Sequence, residues 1–165
     1  MKVFIDSNVL FSAALFPGST PARALYKALT EPNDAIVCEI NIDELKKVFK
    51  RKMPEKISVL NTFLSMLMTT VTIVKVPESE IPDEQKIRDE KDRPIFRAAV
   101  ASGADVILTG DKDFLESGIS DPRIVSPGDF LKWGKKSCGA SAVSRCFFHA
   151  IFQEVMSWKL REFYV

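Results

Sequence analysis

The chain has 165 residues, 46% of them hydrophobic and 27% charged, with a mean hydropathy of +0.02. That is ordinary composition for one domain around one core, and it excludes disorder as the default reading. With 23 basic and 22 acidic residues the net charge is +1, so no bulk basic excess advertises a nucleic-acid partner, although a carboxylate cluster that awaits cations would mask one. The three cysteines, an odd count, and an opening that reads as a strand and not as a targeting segment point to reduced thiols in a cytoplasmic protein. No uncharged apolar stretch reaches the roughly 18 residues that a membrane span needs. The single histidine, His149, removes HExxH-type zinc sites and leaves no obvious Ser–His–Asp triad. A catalyst here has to work through carboxylates and metal, or not through protein groups alone.

Val3-Phe4-Ile5 is an apolar run ending at Asp6, suited to a buried parallel strand. Helix is expected over 8–15 and over 20–29, split by Phe16-Pro17-Gly18-Ser19, with Thr20 as N-cap and Pro21 at the first helical position. A second strand over 35–38 follows turn residues. Next comes a basic amphipathic helix over 41–52, with Leu45, Val48 and Phe49 on one side and Glu44 in its first turn. Pro54 opens another helix, to about residue 69, apolar at Ile57, Leu60, Phe63, Leu64, Leu67 and Met68. The β-branched run 71–76 reads as a third strand, and 77–91 as a polar loop with room for a helical turn. A helix over 92–102 carries Pro94 in its first turn and Gly103 as C-cap. A fourth strand over 105–109, a short helix or turn over 112–116, a fifth strand over 123–125 and a last helical turn ending near Trp133 complete the series. Strands alternating with helices predict βαβ units, hence a three-layer α/β/α fold around a central parallel sheet of about five strands.

This domain is expected to occupy 1–134. Residues 135–141 resemble a linker, and 142–165 form a C-terminal apolar helical extension rich in aromatic residues such as Phe147, Phe148, Phe152 and Trp158. Arg145, His149, Gln153 and Glu154 argue against a membrane helix there, so its apolar surface is expected against the domain or a second copy. His149 reads as a partly buried helix residue and not as a ligand.

Parallel α/β sheets bind ligands beyond the carboxyl ends of their strands. Asp6 and Asp111 follow the first and fourth predicted strands, Asp92 opens a helix, and Glu44 lies early in the helix after the second strand. Four carboxylates are thus expected at one edge. Such a cluster repels itself unless protons or cations compensate, and hard oxygen ligands suit Mg²⁺ or Mn²⁺. Helix capping is the plainer explanation for Asp92 and Asp111 taken singly. Asp89 and Asp113 are weaker candidates, the first on a solvated loop and the second as a cap near Phe114. Lys46, Lys47, Lys50, Arg51 and Lys52 form a basic run after Glu44 that is either a phosphate-tracking surface or a solvated helix face.

At these residues the sequence resembles a family. Phe4-Ile5-Asp6-Ser7-Asn8-Val9-Leu10 is similar to the opening motif of PIN domains, and Glu44-Leu45 to the second motif. Asp92-Arg93-Pro94-Ile95 with Ala98-Ala99 resembles the third, and Leu108-Thr109-Gly110-Asp111-Lys112-Asp113-Phe114 the fourth and most specific. The likeness covers about residues 1–133 and extends to the VapC-like toxin components of type II toxin–antitoxin systems. It implies an endoribonuclease that hydrolyses RNA phosphodiester bonds with Mg²⁺ or Mn²⁺. Asp6, Glu44, Asp92 and Asp111 would be its catalytic and metal-binding quartet, with Asn8 and Thr109 in support. It also implies a homodimer and a small antitoxin partner. The alternative is a catalytically silent PIN scaffold that binds RNA or protein. A haloacid-dehalogenase-like phosphatase would need a second aspartate where Asn8 stands, and a response-regulator receiver would need one after the third strand, which runs into Lys75-Val76-Pro77.

Overall fold

The computed structural model describes residues 1–133. The expected linker and apolar extension over 135–165, with Cys138, Cys146 and His149, lie outside the described residues. Five strands, β1 (Lys2–Ile5), β2 (Asp34–Cys38), β3 (Thr72–Val74), β4 (Val106–Leu108) and β5 (Arg123–Val125), form one parallel sheet in the order β3-β2-β1-β4-β5. Seven α-helices connect or follow them among the described residues: α1 (Ser7–Leu15), α2 (Thr20–Ala28), α3 (Glu39–Lys52), α4 (Ile57–Leu67), α5 (Arg93–Ala101), α6 (Lys112–Leu115) and α7 (Pro127–Lys132). Short 3₁₀ turns lie at Pro54–Lys56 and Pro82–Lys86.

The strand period of two divides the apolar residues between two cores. Val3, Ile5, Val37, Val106 and Leu108 face one side and pack with residues of α1 to α4 and α7. Phe4, Ile36, Cys38 and Ile107 face the other and pack with α5, Phe114 of α6 and Ile87. The sheet is therefore the middle of three layers, as the alternating pattern predicts. From β1 the chain adds β2 and then β3 on one side, and afterwards β4 and β5 on the other. The order reverses between β1 and β4, and the segments that follow their carboxyl ends leave to opposite faces and open a crevice there.

Several boundaries differ from the sequence expectation. Ser19, not Thr20, is the N-cap of α2, because its hydroxyl accepts the Ala22 N–H at 3.3 Å. Helix α3 begins at Glu39, immediately after β2, and the Asn41 side-chain oxygen reaches back to the Cys38 N–H at 3.3 Å. Glu44 consequently sits in the second turn of α3 and not in the first. Met68 lies beyond the end of α4 and is 50% exposed, so it does not join the buried stripe. β3 keeps only three residues, because it is an edge strand on which both Thr72 and Ile73 are exposed. Gly103 does end α5: at φ +65° its N–H bonds Val100 O while Ala104 N–H bonds Ala99 O, which satisfies the last helical carbonyls.

The 77–91 loop is held by one buried ion pair. Glu84, 1% exposed, accepts from Arg97 Nε and Nη2 at 2.9 and 2.8 Å, while Arg97 Nη1 donates to Pro77 O at 3.0 Å. The guanidinium beside it holds the Glu84 carboxyl below its ordinary range. Removing one partner strands the other charge, so the pair fixes the loop more than it adds stability over an apolar substitute. Glu84→Ala should lower Tm by roughly 5 °C or more and open 77–91 to proteolysis before the sheet unfolds. Wild-type protease resistance of that loop in the variant would show that the pair does not hold it.

Candidate active site

Asp6 ends β1 and caps α1 at the crevice. Its Oδ1 accepts from the Ser7 N–H at 2.6 Å and lies 3.5 Å from Asn41 Nδ2, and its Oδ2 accepts from the Thr109 hydroxyl at 2.6 Å. The side chain is 4% exposed. Burial pushes its carboxyl up to about 6, with Glu44 and Asp111 adding repulsion, even though the Thr109 and Ser7 bonds favour the anion. Thr109, wholly buried beyond β4, is more than a strand-end residue: its oxygen also accepts from Asp111 N–H at 2.9 Å and from Asn8 Nδ2 at 3.2 Å. Asn8 completes the link by accepting the Gly110 N–H at 3.1 Å through Oδ1. The carboxyl ends of β1 and β4 are thereby tied across the switch point.

Asp92 precedes α5 but makes no cap hydrogen bond, so the plain capping explanation fails for it. Burial pushes its carboxyl up to about 7, and Asp6, Asp111, Asp89 and Glu44 each add repulsion. The four predicted carboxylates therefore sense one another at one edge of the sheet. Among the described residues, no hydrogen bond or ion pair holds the carboxylates of Asp92 or Glu44. Asp111 differs: it caps α6 through Oδ1, accepting from Asp113 N–H at 2.7 Å. Asp113, expected as that cap, instead pairs with Arg88. Asp89 stays on the exposed loop and accepts from Lys91 N–H at 3.0 Å.

Two grooves flank Glu44. One, about 320 Å³, is lined by Glu44, Asp92, Lys47 and Lys91, and the other, about 220 Å³, by Glu44, Ser7, Asn8 and Lys52. Of the basic run, Lys47 and Lys52 thus border the acids, whereas Lys46 faces Asp43 at 3.8 Å in an exposed pair.

The donors fit Mg²⁺ or Mn²⁺ in kind: all are carboxylate oxygens, two without partners among the described residues, and burial together with the neighbouring acids raises the ionisation of Asp6 and Asp92, which a bound cation would reverse. As placed, no three carboxylate, thiol or imidazole groups among the described residues surround a single point. Asp6 is turned to its donors and Asp111 to its cap, so Glu44 and Asp92 would have to turn inward. Mg²⁺ tolerates this, since it binds through one or two carboxylates, several waters and a substrate phosphate.

Sequence reasoning missed two residues here. Asn41 is wholly buried on α3, where an asparagine facing a core is itself a signal; its amide connects Cys38 with Asp6. Arg88 gave no signal in a polar loop.

Parallel topology, a switch-point crevice and converging acids define the class, a doubly wound α/β domain with an anionic site at its strand ends. A family model described as PIN domain matches residues 2–113, and the chain belongs to the PIN-domain family. Solved structures share the fold. VapBC2 from Rickettsia felis, crystallised bound to a DNA fragment from its promoter, matches with TM-score 0.57 and 17% identity, covering 76% of this chain and 98% of its own. Mycobacterium tuberculosis VapC20, a toxin that cleaves the sarcin–ricin loop, matches with TM-score 0.52 and 16% identity, covering 71% and 95%. No curated protein matches the chain.

Asp6 and Asp92 both ionise later in the folded chain than at their ordinary value of 3.8. The folded state therefore holds more protons than the unfolded state between about pH 4 and 7, and stability falls as pH rises through that window. Glu84 acts in the opposite sense, but only as pH falls below its ordinary carboxylate range. In EDTA, Tm should drop by roughly 5–10 °C from about pH 4.5 to 7.5, with Asp6→Asn and Asp92→Asn flattening the decline. A Tm that climbs across this range in wild type would refute the assignment of burial as the cause.

Proposed function

We propose that the chain is a divalent-metal-dependent endoribonuclease that hydrolyses RNA phosphodiester bonds, and the toxin of a toxin–antitoxin pair. The observation that carries the reading is the setting of Asp92, where burial and then the charges of Asp6, Asp111, Asp89 and Glu44 push one carboxyl up to about 7. Asp6, Glu44, Asp92 and Asp111 are the proposed metal-binding and catalytic residues. Mg²⁺ or Mn²⁺ bound among them supplies a more acidic water and neutralises charge on the phosphate.

The chain's own residues divide the work of positioning. Thr109, the Ser7 N–H and Asn41 fix Asp6, and the α6 cap fixes Asp111. Glu44 and Asp92, without partners among the described residues, can rotate to meet what the fixed pair presents. Lys47, Lys91 and Lys52 border the grooves on either side and oppose the charge of the RNA backbone. A small antitoxin and a homodimer belong to the same reading, supported by likeness to a VapBC structure and by habit of the family. The runner-up is a silent scaffold that binds RNA or protein; the dispersed metal donors are the observation in its favour.

Purified protein should cut single-stranded RNA with Mn²⁺ and stop in EDTA, and Asp6→Asn should slow cleavage by roughly a hundredfold or more while circular dichroism stays unchanged. Binding without any metal-dependent cleavage would favour the scaffold. Lys47→Glu with Lys52→Glu should weaken RNA binding and flatten its dependence on salt by about two in log–log slope. An unaltered slope would return both lysines to the role of a solvated helix face.

A further inference from the structure

A larger open cleft, about 540 Å³, adjoins the acids on the side away from α3. It lies between the start of α1, the start of α2, the β4–α6 turn and the start of α7, and Asp111 forms part of its wall. Its volume falls within the range of small-ligand sites. We propose that this cleft is a nucleotide subsite, taking the nucleotide next to the scissile phosphate: the base lies against Pro21 and Pro127, the Ser12 hydroxyl bonds a base edge, and Arg88 grips the neighbouring phosphate. The assignment rests on the nuclease reading for the word scissile; the binding itself does not.

Three features favour this occupant. Pro21 and Pro127 line the cleft, and proline rings are stiff apolar surfaces that accept a flat base with no side-chain entropy to lose. Ser12 lines the same cleft, and its hydroxyl has no hydrogen-bond partner among the described residues. Its neighbour Asn8 has both ends of its amide engaged, with Gly110 and Thr109, so Ser12 is the α1 side chain left to read a base. Arg88 is the third feature. Its side chain is 79% exposed at the cleft and pairs with Asp113. An exposed pair of this kind contributes little stability, so a phosphodiester can replace Asp113 at small cost, and a guanidinium fork matches phosphate oxygens. The pair holds Arg88 at the mouth until substrate arrives. A polynucleotide fits better than a small free anion, because beyond Asp111 the acids are bordered by Lys47 and Lys91, which would meet the next stretch of backbone.

The test uses full-length Asp6→Asn protein, which should bind RNA without cutting it, and fluorescence anisotropy with short single-stranded homopolymers of each base. Adding Arg88→Ala should weaken binding to every homopolymer by about tenfold and reduce the salt slope by about one, with Arg88→Lys restoring the slope. Adding Ser12→Ala should leave the slope alone and change the ranking of the four homopolymers. Unchanged affinity and slope in Arg88→Ala, or an unchanged ranking in Ser12→Ala, would overturn the subsite. If wild type fails to cleave RNA but these binding effects persist, the nuclease reading falls and the subsite stands. If cleavage is present and the effects are absent, the subsite alone falls. Absence of RNA binding by Asp6→Asn would overturn the subsite, and the nuclease reading would then stand or fall on wild-type cleavage alone.

Discussion

Burial of the Asp6 carboxyl among other acids is the constraint on which the rest of the structure turns. A carboxylate with almost no access to water is costly unless donors surround it, and four do: the Ser7 N–H, the Thr109 hydroxyl and, more distantly, the Ser7 hydroxyl and Asn41. Those donors come from the start of α1, the end of β4 and the start of α3. Satisfying one side chain therefore fixes how three elements meet at the sheet edge. Even so, burial and the neighbouring acids push its ionisation up to about 6, so the fold carries a standing demand for positive charge at that point.

The sheet order explains why the demand arises there. The order in which strands join the parallel sheet reverses between β1 and β4, so the segments after these strands leave to opposite faces and open a crevice between them. The Asn8 and Thr109 side chains fill the floor of that crevice with hydrogen bonds, which gives Asp6 and Asp111 a rigid frame. The two acids from α3 and from the start of α5 have no partners of their own among the described residues. A hydrogen-bonded pair beside an unbonded pair suits a site whose charge is completed by ligands that enter and leave. The buried Glu84–Arg97 pair serves the same geometry from a distance, because it anchors the loop that delivers Arg88 to one side and Asp92 to the other.

Element type was well announced by periodicity. The β1 run, the stripe of α4 and the Gly103 stop are each local consequences of side-chain chemistry, and the structure shows all three. Ends were less legible where two signals competed. Ser19 and Thr20 are both good caps, and only the chain path selects Ser19. Cys38 finishes a strand and caps a helix at once, a junction without a familiar sequence signal. β3 is shorter than its β-branched run because its outer edge has no partner strand among the described residues.

The sequence by itself determined the fold class, the family and the chemical kind of the candidate site, since strand alternation, carboxylates after strands and the Thr109-Gly110-Asp111 string are all local properties. Tertiary structure alone decided which polar groups share a proton or a bond. That Asp92 does not cap its helix, that Asp113 answers Arg88, and that Asn41 reaches Asp6 are outcomes of packing between residues 25 to 35 positions apart or of a cap left unmade. Burial and pairing are properties of the space between elements, and periodicity within an element carries no record of them.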